Sequence, residues 1–154
     1  MSAHIFMLCD SDRDPLIQIA STYLSKSGPR IKGDLTIIPT KKVARFPEGE
    51  TRRLEEGKLL LKASEGRYRI ALDAKGRSFD TQQWSQRIEQ LLAQRGKIGF
   101  LIGGASGHSQ KVRDESDELW SLSLLTFPHK LALCVLAEQL YRTSEIAKQS
   151  PYAK

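Results

Sequence analysis

The sequence predicts one α/β domain in which a mostly parallel sheet is flanked by helices. Short apolar segments of strand length alternate with longer segments of helical character along the chain, and this alternation is typical of α/β folds. The length of 154 residues is enough to bury one core and short for two. We therefore expect a single domain over residues 1–154.

The first predicted strand is His4–Cys9, a short apolar run of the length of a buried strand. A helix is expected next, because Asp14 and Pro15 have the pattern of an N-cap followed by proline at the first helical position. Gly28–Pro29 ends this helix. Its apolar residues are assigned to one face: Leu16, Ile19, Ala20, Tyr23 and Leu24.

The second strand is predicted over residues 34–38, where DLTII is rich in β-branched residues and stops at Pro39. Thr40–Pro47 is then expected to form a basic loop. A charged, weakly amphipathic helix follows from Glu48 to about Ala63, with Leu54 and Leu61 on one side.

The third strand is predicted over residues 69–73 (RIALD) and is expected to end in a turn at Gly76. Asp80 and Gln83 have the spacing of a capping box, so a helix should begin there and close at Gly96. Its apolar positions have the period of a helix that covers a core: Trp84, Ile88, Leu91 and Leu92.

The last third of the chain begins with a near-continuous apolar strand over residues 98–102, which runs into a glycine-rich turn over residues 103–107. Residues 109–119 are expected to be largely helical and residues 120–122 to form a short strand. After Pro128, which favours a first helical turn, residues 130–141 are almost all apolar. This helix should be buried on most sides.

The net charge of +6 is concentrated in one region, because residues 26–62 hold ten Lys and Arg against five Asp and Glu. A local basic surface suits nucleic-acid phosphates, although a solvated surface explains the same charges equally well. The candidate RNA-binding residues are Lys41, Lys42, Arg45, Arg52 and Arg53.

Several site classes are not expected. No apolar run reaches the length of a membrane span, and residues 1–10 lack the pattern of a signal peptide, which predicts a cytoplasmic protein without a membrane partner. Cys9 and Cys134 lack metal-site spacing and are expected to be reduced core residues. Asp10, Asp12 and Asp14 imitate a calcium loop, but Pro15 replaces its turn glycine, so no metal site is predicted.

The glycine turn after the fourth predicted strand is a candidate binding element, because ligands of open α/β sheets bind at the carboxyl ends of strands. Its sequence matches neither GxGxxG nor a P-loop, and His108 stands where the esterase motif GxSxG needs glycine. A plain tight turn remains an alternative.

The stretch Trp120–Arg142 is a second candidate site, since a loop rich in hydroxyl groups leads there into a helix N-terminus. His129 has the chemistry to bind substrate or transfer a proton, or else it caps the helix. Glu138 and Arg142 lie one turn apart and are expected to pair. Tyr152 is either a terminal residue without a role or a stacking surface for a base.

Four blocks in order along the chain resemble the signatures of the RlmH-type SPOUT methyltransferase family: RIALDAKGRSFDT, FLIGGASG, WSLSLLTFPH and AEQLYR. The resemblance implies a homodimer with a C-terminal trefoil knot and S-adenosylmethionine as cofactor. It implies methylation of N3 of a pseudouridine in large-subunit rRNA, on free rRNA or an assembled ribosome. The cofactor-binding residues that it implies are Leu72, Asp73, Gly103, Gly104, Leu122, Ser123, Leu124, Leu125, Thr126, Phe127 and Pro128.

The resemblance also makes Tyr152, His129 and Arg142 the candidate catalytic residues, and Leu122, Leu124, Leu125 and Phe127 an apolar wall for adenine. The sequence departs from the family pattern at Ala153, where a histidine is usual, and at His108, where leucine is usual. A weakened or inactive ribosome- or RNA-binding protein is therefore one alternative function. An unrelated nucleotide-binding enzyme that uses the glycine turn is another.

Overall fold

The computed structural model describes residues 1–153, in which strands and helices alternate as predicted. The strands are β1 (Ser2–Cys9), β2 (Lys32–Pro39), β3 (Tyr68–Ser78), β4 (Lys97–Ile102) and β5 (Glu118–Ser121). The helices are α1 (Pro15–Ser25), α2 (Glu50–Ala63), α3 (Thr81–Arg95), α4 (Gln110–Glu115) and α5 (His129–Ala147), followed by a 3₁₀ turn at Pro151–Ala153.

The five strands form one sheet in the order β2-β1-β4-β3-β5, and every neighbouring pair is parallel. This confirms the predicted α/β class with its parallel sheet. Because all strands point the same way, their carboxyl ends lie along one edge of the sheet. The loops that follow β1, β3, β4 and β5 therefore meet at that edge, where open α/β sheets bind ligands.

The core has two layers, one on each face of the sheet. Helices α1, α3 and α5 cover one face, where the rings of Trp84 and Trp120 lie 4.7 Å apart and both pack near Phe100. Helices α2 and α4 cover the other face with a smaller cluster that includes Leu60, Leu101 and Val112. Burial on both faces explains why β1 and β4 have almost continuous apolar sequences.

The capping predictions for two helices are confirmed. The Asp14 carboxylate accepts a hydrogen bond of 2.9 Å from the Leu16 amide at the start of α1. Asp80 and Gln83 form a complete capping box at the start of α3, and Gly96 closes that helix at φ 74°. These local patterns specify helix ends because each satisfies backbone groups that lack a partner within the helix.

The predicted apolar face of α1 is wrong by part of a turn. Ile17 is buried, whereas Ile19 is 48% exposed. The helix packs against α5 around the fully buried Ala20. Ile17 and Leu24 lie three and four residues from Ala20 and share its face, while Ile19 is rotated by about 100° from it.

Helix α2 also differs from its prediction. It begins at Glu50 rather than Glu48, because Gly49 has a φ of 130° that no helix contains. Leu54 is exposed, and the inner face carries Glu56, Gly57, Leu60 and Leu61 instead. A carboxylate thus occupies a position that the helical period would assign to an apolar residue.

The turn predicted at Gly76 is instead an irregularity inside a longer strand. Leu72 and Arg77 both pair with Trp120, so residues 73–76 are displaced from the ladder before β3 resumes. A Cβ on Gly76 would approach the Leu119 carbonyl carbon to 2.6 Å, which only glycine avoids. Strand β5 begins at Glu118, earlier than predicted, because α4 ends at Glu115.

Helix α5 is not buried on most sides, contrary to its prediction. Pro128 is the N-cap rather than the first helical residue. Only the side that packs on α1 and α3 is buried, and it carries Leu133, Leu136, Ala137 and Leu140. The opposite side is partly accessible, and Leu131 is 40% exposed there. Helix α5 therefore has more apolar residues than the rest of the chain buries.

Candidate functional site

A cleft of about 680 Å³ opens at the carboxyl ends of β3, β4 and β5. Three segments line it: residues 72–74 at the start of the displaced segment of β3, the glycine turn after β4, and the loop between β5 and α5. These loops contain the residues for which the resemblance implies cofactor binding. The fold thus gathers into one cleft three segments that lie far apart in the sequence.

The glycine turn forms the middle of the cleft. The Gly107 amide donates a hydrogen bond of 3.0 Å to the Gly104 carbonyl, and Gly107 has a φ of 79°. A Cβ on Gly103 would lie 3.0 Å from the carbonyl carbon of Gly107. The turn is therefore tight, and no side chain other than glycine's fits at Gly103 without a shift of the backbone.

The loop from Leu122 to Pro128 forms one wall. Its shape is fixed by Ser121 Oγ, which donates to the Ser123 carbonyl at 2.9 Å, and by Ser123 Oγ, which accepts from the Leu125 amide at 3.0 Å. Leu122, Leu125 and Phe127 line the cleft, whereas Leu124 is 95% exposed and does not. The predicted apolar wall therefore lacks Leu124.

Asp73 forms the lip opposite that wall. Its carboxylate accepts hydrogen bonds from Arg113 Nε at 2.6 Å and from the Lys75 amide at 2.9 Å. Burial opposes ionisation of Asp73, but the pairing with Arg113 outweighs it, so the pKa of this carboxyl lies below its usual value. Asp73 is thus a charged group that fixes the displaced segment of β3.

His108 lies on the floor of the cleft and is 4% exposed. Its Nε2 is 3.1 Å from the Leu101 carbonyl, while its Nδ1 is buried without a hydrogen-bond partner among residues 1–153. Burial lowers the pKa of His108, so the ring is neutral. Because Nε2 donates to the carbonyl, Nδ1 is an acceptor without a partner, and it is enclosed behind the glycine turn.

His129 lies at the start of α5, at the edge of the same cleft. Burial and the neighbouring Lys130 lower the pKa of His129, while Asp10 and Asp14 oppose that shift. The ring is therefore a neutral base at neutral pH, in a position that both the cleft and an adjoining cavity reach.

The other two candidate catalytic residues form a cluster near the end of α5. Arg142 donates to Glu138 Oε1 from Nε at 2.9 Å and from Nη2 at 2.6 Å, which confirms the predicted ion pair. The Tyr152 hydroxyl donates to the same oxygen at 2.8 Å, and Arg142 lies over the Tyr152 ring. Burial and the bond to Glu138 raise the pKa of Tyr152 to about 12.

Within one chain these groups do not form a single site. His129 and Arg142 are separated by thirteen residues of a continuous helix, a distance of about 20 Å along its axis. The cleft therefore has one of the three candidate catalytic residues beside it, and the other two lie at the far end of α5.

The five candidate RNA-binding residues are divided between two environments. Lys41, Lys42 and Arg45 are exposed in the loop after β2. Arg52 and Arg53 are half-buried on α2, and Arg52 Nε lies 3.6 Å from Glu56 Oε1. Arg52 is thus turned towards the protein rather than towards the exposed basic loop.

A second cavity, of about 170 Å³, adjoins the cleft. It lies between the glycine turn and α2 and contains Glu56, a residue that the sequence reasoning did not select. The sequence does contain a signal for its position, because Glu56 precedes Leu60 by four residues and thus lies on the inner face of the helix.

Within residues 1–153, the structure contains no helix that is long and apolar enough to cross a bilayer.

Comparisons with known proteins give consistent matches. The family model described as "Predicted SPOUT methyltransferase" matches residues 1–153. The chain is 42% identical over 99 residues to the ribosomal RNA large subunit methyltransferase H of Stenotrophomonas maltophilia, covering 64% of each chain. It is 45% identical over 100 residues to a protein of that name from Thermus thermophilus, covering 64% of this chain and 71% of the relative.

The Stenotrophomonas alignment thus spans slightly less than two thirds of that relative. Among solved structures, a tRNA (m1G37) methyltransferase from Aquifex aeolicus aligns with a TM-score of 0.47 and 13% identity, covering 90% of this chain and 69% of that one.

Proposed function

Because the chain belongs to the SPOUT methyltransferase family, we propose that it transfers a methyl group from S-adenosylmethionine to N3 of a pseudouridine in large-subunit rRNA. The observation that carries this proposal is the convergence of three loops on one cleft at the carboxyl edge of the sheet. The names of the relatives support rRNA as the substrate class. Family membership argues against an unrelated nucleotide-binding enzyme.

The residues at the cleft fit the proposed cofactor. A volume of about 680 Å³ is within the range of sites that enclose small organic ligands. Leu122, Leu125 and Phe127 offer an apolar surface to adenine. The glycine turn lines the same cleft with Gly103 and Gly104.

Bound S-adenosylmethionine supplies an electrophilic methyl group on a sulfonium centre. The contribution of the protein is to align the pseudouridine with that methyl group and to accept the proton that N3 loses. His129 is the candidate acceptor on this chain, because its ring is neutral and lies beside the cleft.

Arg142 and Tyr152 are assigned to the substrate rather than to proton transfer. With a pKa of about 12, Tyr152 keeps its proton and acts only as a donor or a stacking surface. Arg142 is a permanent cation suited to a phosphate of rRNA, and the exposed Lys41, Lys42 and Arg45 extend the same role.

The remaining parts of the proposal concern assembly. The separation of His129 from Arg142 along α5, and the partly exposed apolar side of that helix, support a homodimer in which one subunit completes the site of the other. A C-terminal trefoil knot and a cytoplasmic location complete the proposal. Apart from Ala153, no feature of residues 1–153 favours the alternative of an RNA-binding protein without transfer activity.

The test is incubation of the protein with tritiated S-adenosylmethionine and ribosomes that lack the modification, with free large-subunit rRNA as a second substrate. We expect label in large-subunit rRNA, at N3 of a pseudouridine on nucleoside analysis. Normal cofactor binding without transfer to either substrate would contradict the proposal.

Activity restored by Ala153→His in an otherwise weak enzyme would instead support the alternative of a degraded site. Robust turnover by the unchanged protein would exclude that alternative.

A further inference from the structure

Glu56 is a buried carboxylate whose hydrogen-bonding capacity is unused. The residue is 7% exposed on the inner face of α2. In the part of the chain that the structure describes, its nearest cationic atom is Arg52 Nε at 3.6 Å, beyond hydrogen-bonding distance. A carboxylate accepts several hydrogen bonds and is costly to bury without them. Its oxygens are not among the fully enclosed atoms, so the carboxylate is open to the adjoining cavity and available to a ligand with N–H donors.

The carboxylate faces a cavity that adjoins the cofactor cleft. Gly104, Ala105 and His129 line both spaces. A Cβ on Gly104 would collide with Glu56 Oε2, so the carboxylate lies directly against the glycine turn. A ligand in the cleft therefore needs to extend only past this turn to reach Glu56.

The charges around the cavity favour a cationic group over a phosphate. Asp10, Glu48 and Glu56 line it with a single arginine, Arg52, and His129 is neutral there. Burial and the nearby Glu48 raise the pKa of Glu56, although Arg52 opposes the shift. A negative excess repels rRNA phosphates and attracts an ammonium group.

We propose that Glu56 and Arg52 bind the amino-acid end of S-adenosylmethionine, with the Glu56 carboxylate accepting from the α-ammonium and the Arg52 guanidinium donating to the α-carboxylate. This inference rests on the proposed function for the identity of the cofactor. The two side chains present opposite charges side by side and are only loosely paired with each other, which leaves both available to a zwitterion. Charge-assisted hydrogen bonds of this kind are strong.

The test compares two ligands by calorimetry: S-adenosylhomocysteine, which has the amino-acid end, and 5′-methylthioadenosine, which lacks it. Glu56→Gln keeps the shape of the side chain and removes its charge. We expect it to weaken binding of S-adenosylhomocysteine by about 10-fold or more and to leave binding of 5′-methylthioadenosine unchanged. Arg52→Gln should likewise weaken binding of S-adenosylhomocysteine and leave binding of 5′-methylthioadenosine unchanged.

Glu55→Gln is the matched control, because Glu55 neighbours Glu56 on α2 but pairs with Lys58 at 2.9 Å away from the cavity. It should leave both affinities unchanged. Equal weakening of both ligands by Glu56→Gln, or no weakening of either, would overturn the inference. Failure of the unmodified protein to bind S-adenosylhomocysteine would overturn the proposed cofactor instead, so the two failures are distinguishable.

Discussion

The two ends of α5 are built in opposite ways. At its start, His129 adjoins an open cleft of about 680 Å³ whose polar groups are in part unused. Near its end, Glu138, Arg142 and Tyr152 satisfy one another through three hydrogen bonds to a single carboxylate oxygen. The first end is arranged to receive a ligand, and the second is a preassembled group of charges presented on the surface.

This contrast indicates what one chain lacks. An active site needs donor-binding and substrate-binding groups within a few ångströms of the reacting atoms, but His129 and Arg142 are about 20 Å apart along α5. If both ends take part in one reaction, they belong to different subunits. A symmetric dimer provides this arrangement twice.

Complementation between two inactive variants is the most decisive test of whether the two ends of α5 act together in a site shared between subunits. Gly104→Ala disrupts the cleft because its Cβ collides with Glu56, and Arg142→Ala disrupts the terminal cluster. If sites are shared between subunits, a refolded equal mixture should recover about 25% of the unmodified activity, because half of the dimers are mixed and each mixed dimer has one intact site. Methyl transfer to ribosomes is the measurement.

Each variant alone is the control and should have almost no activity. An equal mixture that stays as inactive as its components, with mixed dimers verified by differently tagged chains, would show that each site is built within one subunit.

Two leucines of one loop test which side chains of the cleft bind the cofactor. Leu122 lines the cleft and packs against the core, whereas Leu124 is exposed and lines nothing. Leu122→Ala should weaken binding of S-adenosylhomocysteine by about 10-fold, since it removes buried apolar contact worth roughly 1–2 kcal/mol. Leu124→Ala, the matched control, should leave calorimetric affinity unchanged. Equal losses in both variants would mean that the loop closes differently around the ligand.

The free energy of unfolding should also depend on pH through His108, on the floor of the cleft. Burial lowers the pKa of His108, so protonation of this residue favours the unfolded chain. The stability that the neutral ring contributes is present above about pH 6.5 and is lost as the pH falls below that value. His108→Leu should reduce this slope by at most about 1.4 kcal/mol per pH unit. Urea denaturation from pH 8 to pH 5 measures it.

His4 and His129 have pKa shifts in the same direction, so some acid sensitivity will remain in the His108→Leu variant. An unchanged slope would show that His108 takes up a proton equally readily in the folded and the unfolded chain.

The smallest effect is expected at the terminal cluster. Tyr152→Phe removes the bond to Glu138 but keeps the ring contact with Tyr141, 4.8 Å between centroids. Because Tyr152 is exposed, the free energy of unfolding should fall by about 0.5 kcal/mol or less. Thermal unfolding measures the stability, and methyl transfer measured in parallel tests the substrate role. A large loss of stability would make the cluster structural.

The order of elements was predictable because it depends on local patterns. Asp80 with Gln83 marks a helix start, and the apolar run before Gly103 marks a central strand, since each pattern acts over a few residues. The inner face of α1 was not predictable in the same way, because Ile17 and Ile19 are equally apolar and only packing against α5 selects between them. The inner position of Glu56 follows from its spacing before Leu60, whereas its contact with the glycine turn depends on the tertiary fold.

The cleft itself was predictable only in part. The three loops could be named from their sequences, whereas the outward direction of Leu124 depends on the hydrogen bonds of Ser123 within the loop. The displaced segment in β3 depends on pairing with β5, which lies more than forty residues away in the sequence.

That displaced segment gives the cleft a lip whose length can vary independently of the sheet. Residues 73–76 are held at both ends, since Leu72 and Arg77 pair with the same residue of β5. Insertions or deletions between these two anchors would reshape the rim of the cleft without shifting the register of the strands. The segment is therefore the natural place at which to engineer a wider or narrower opening, and removing it would draw the lip back into the sheet.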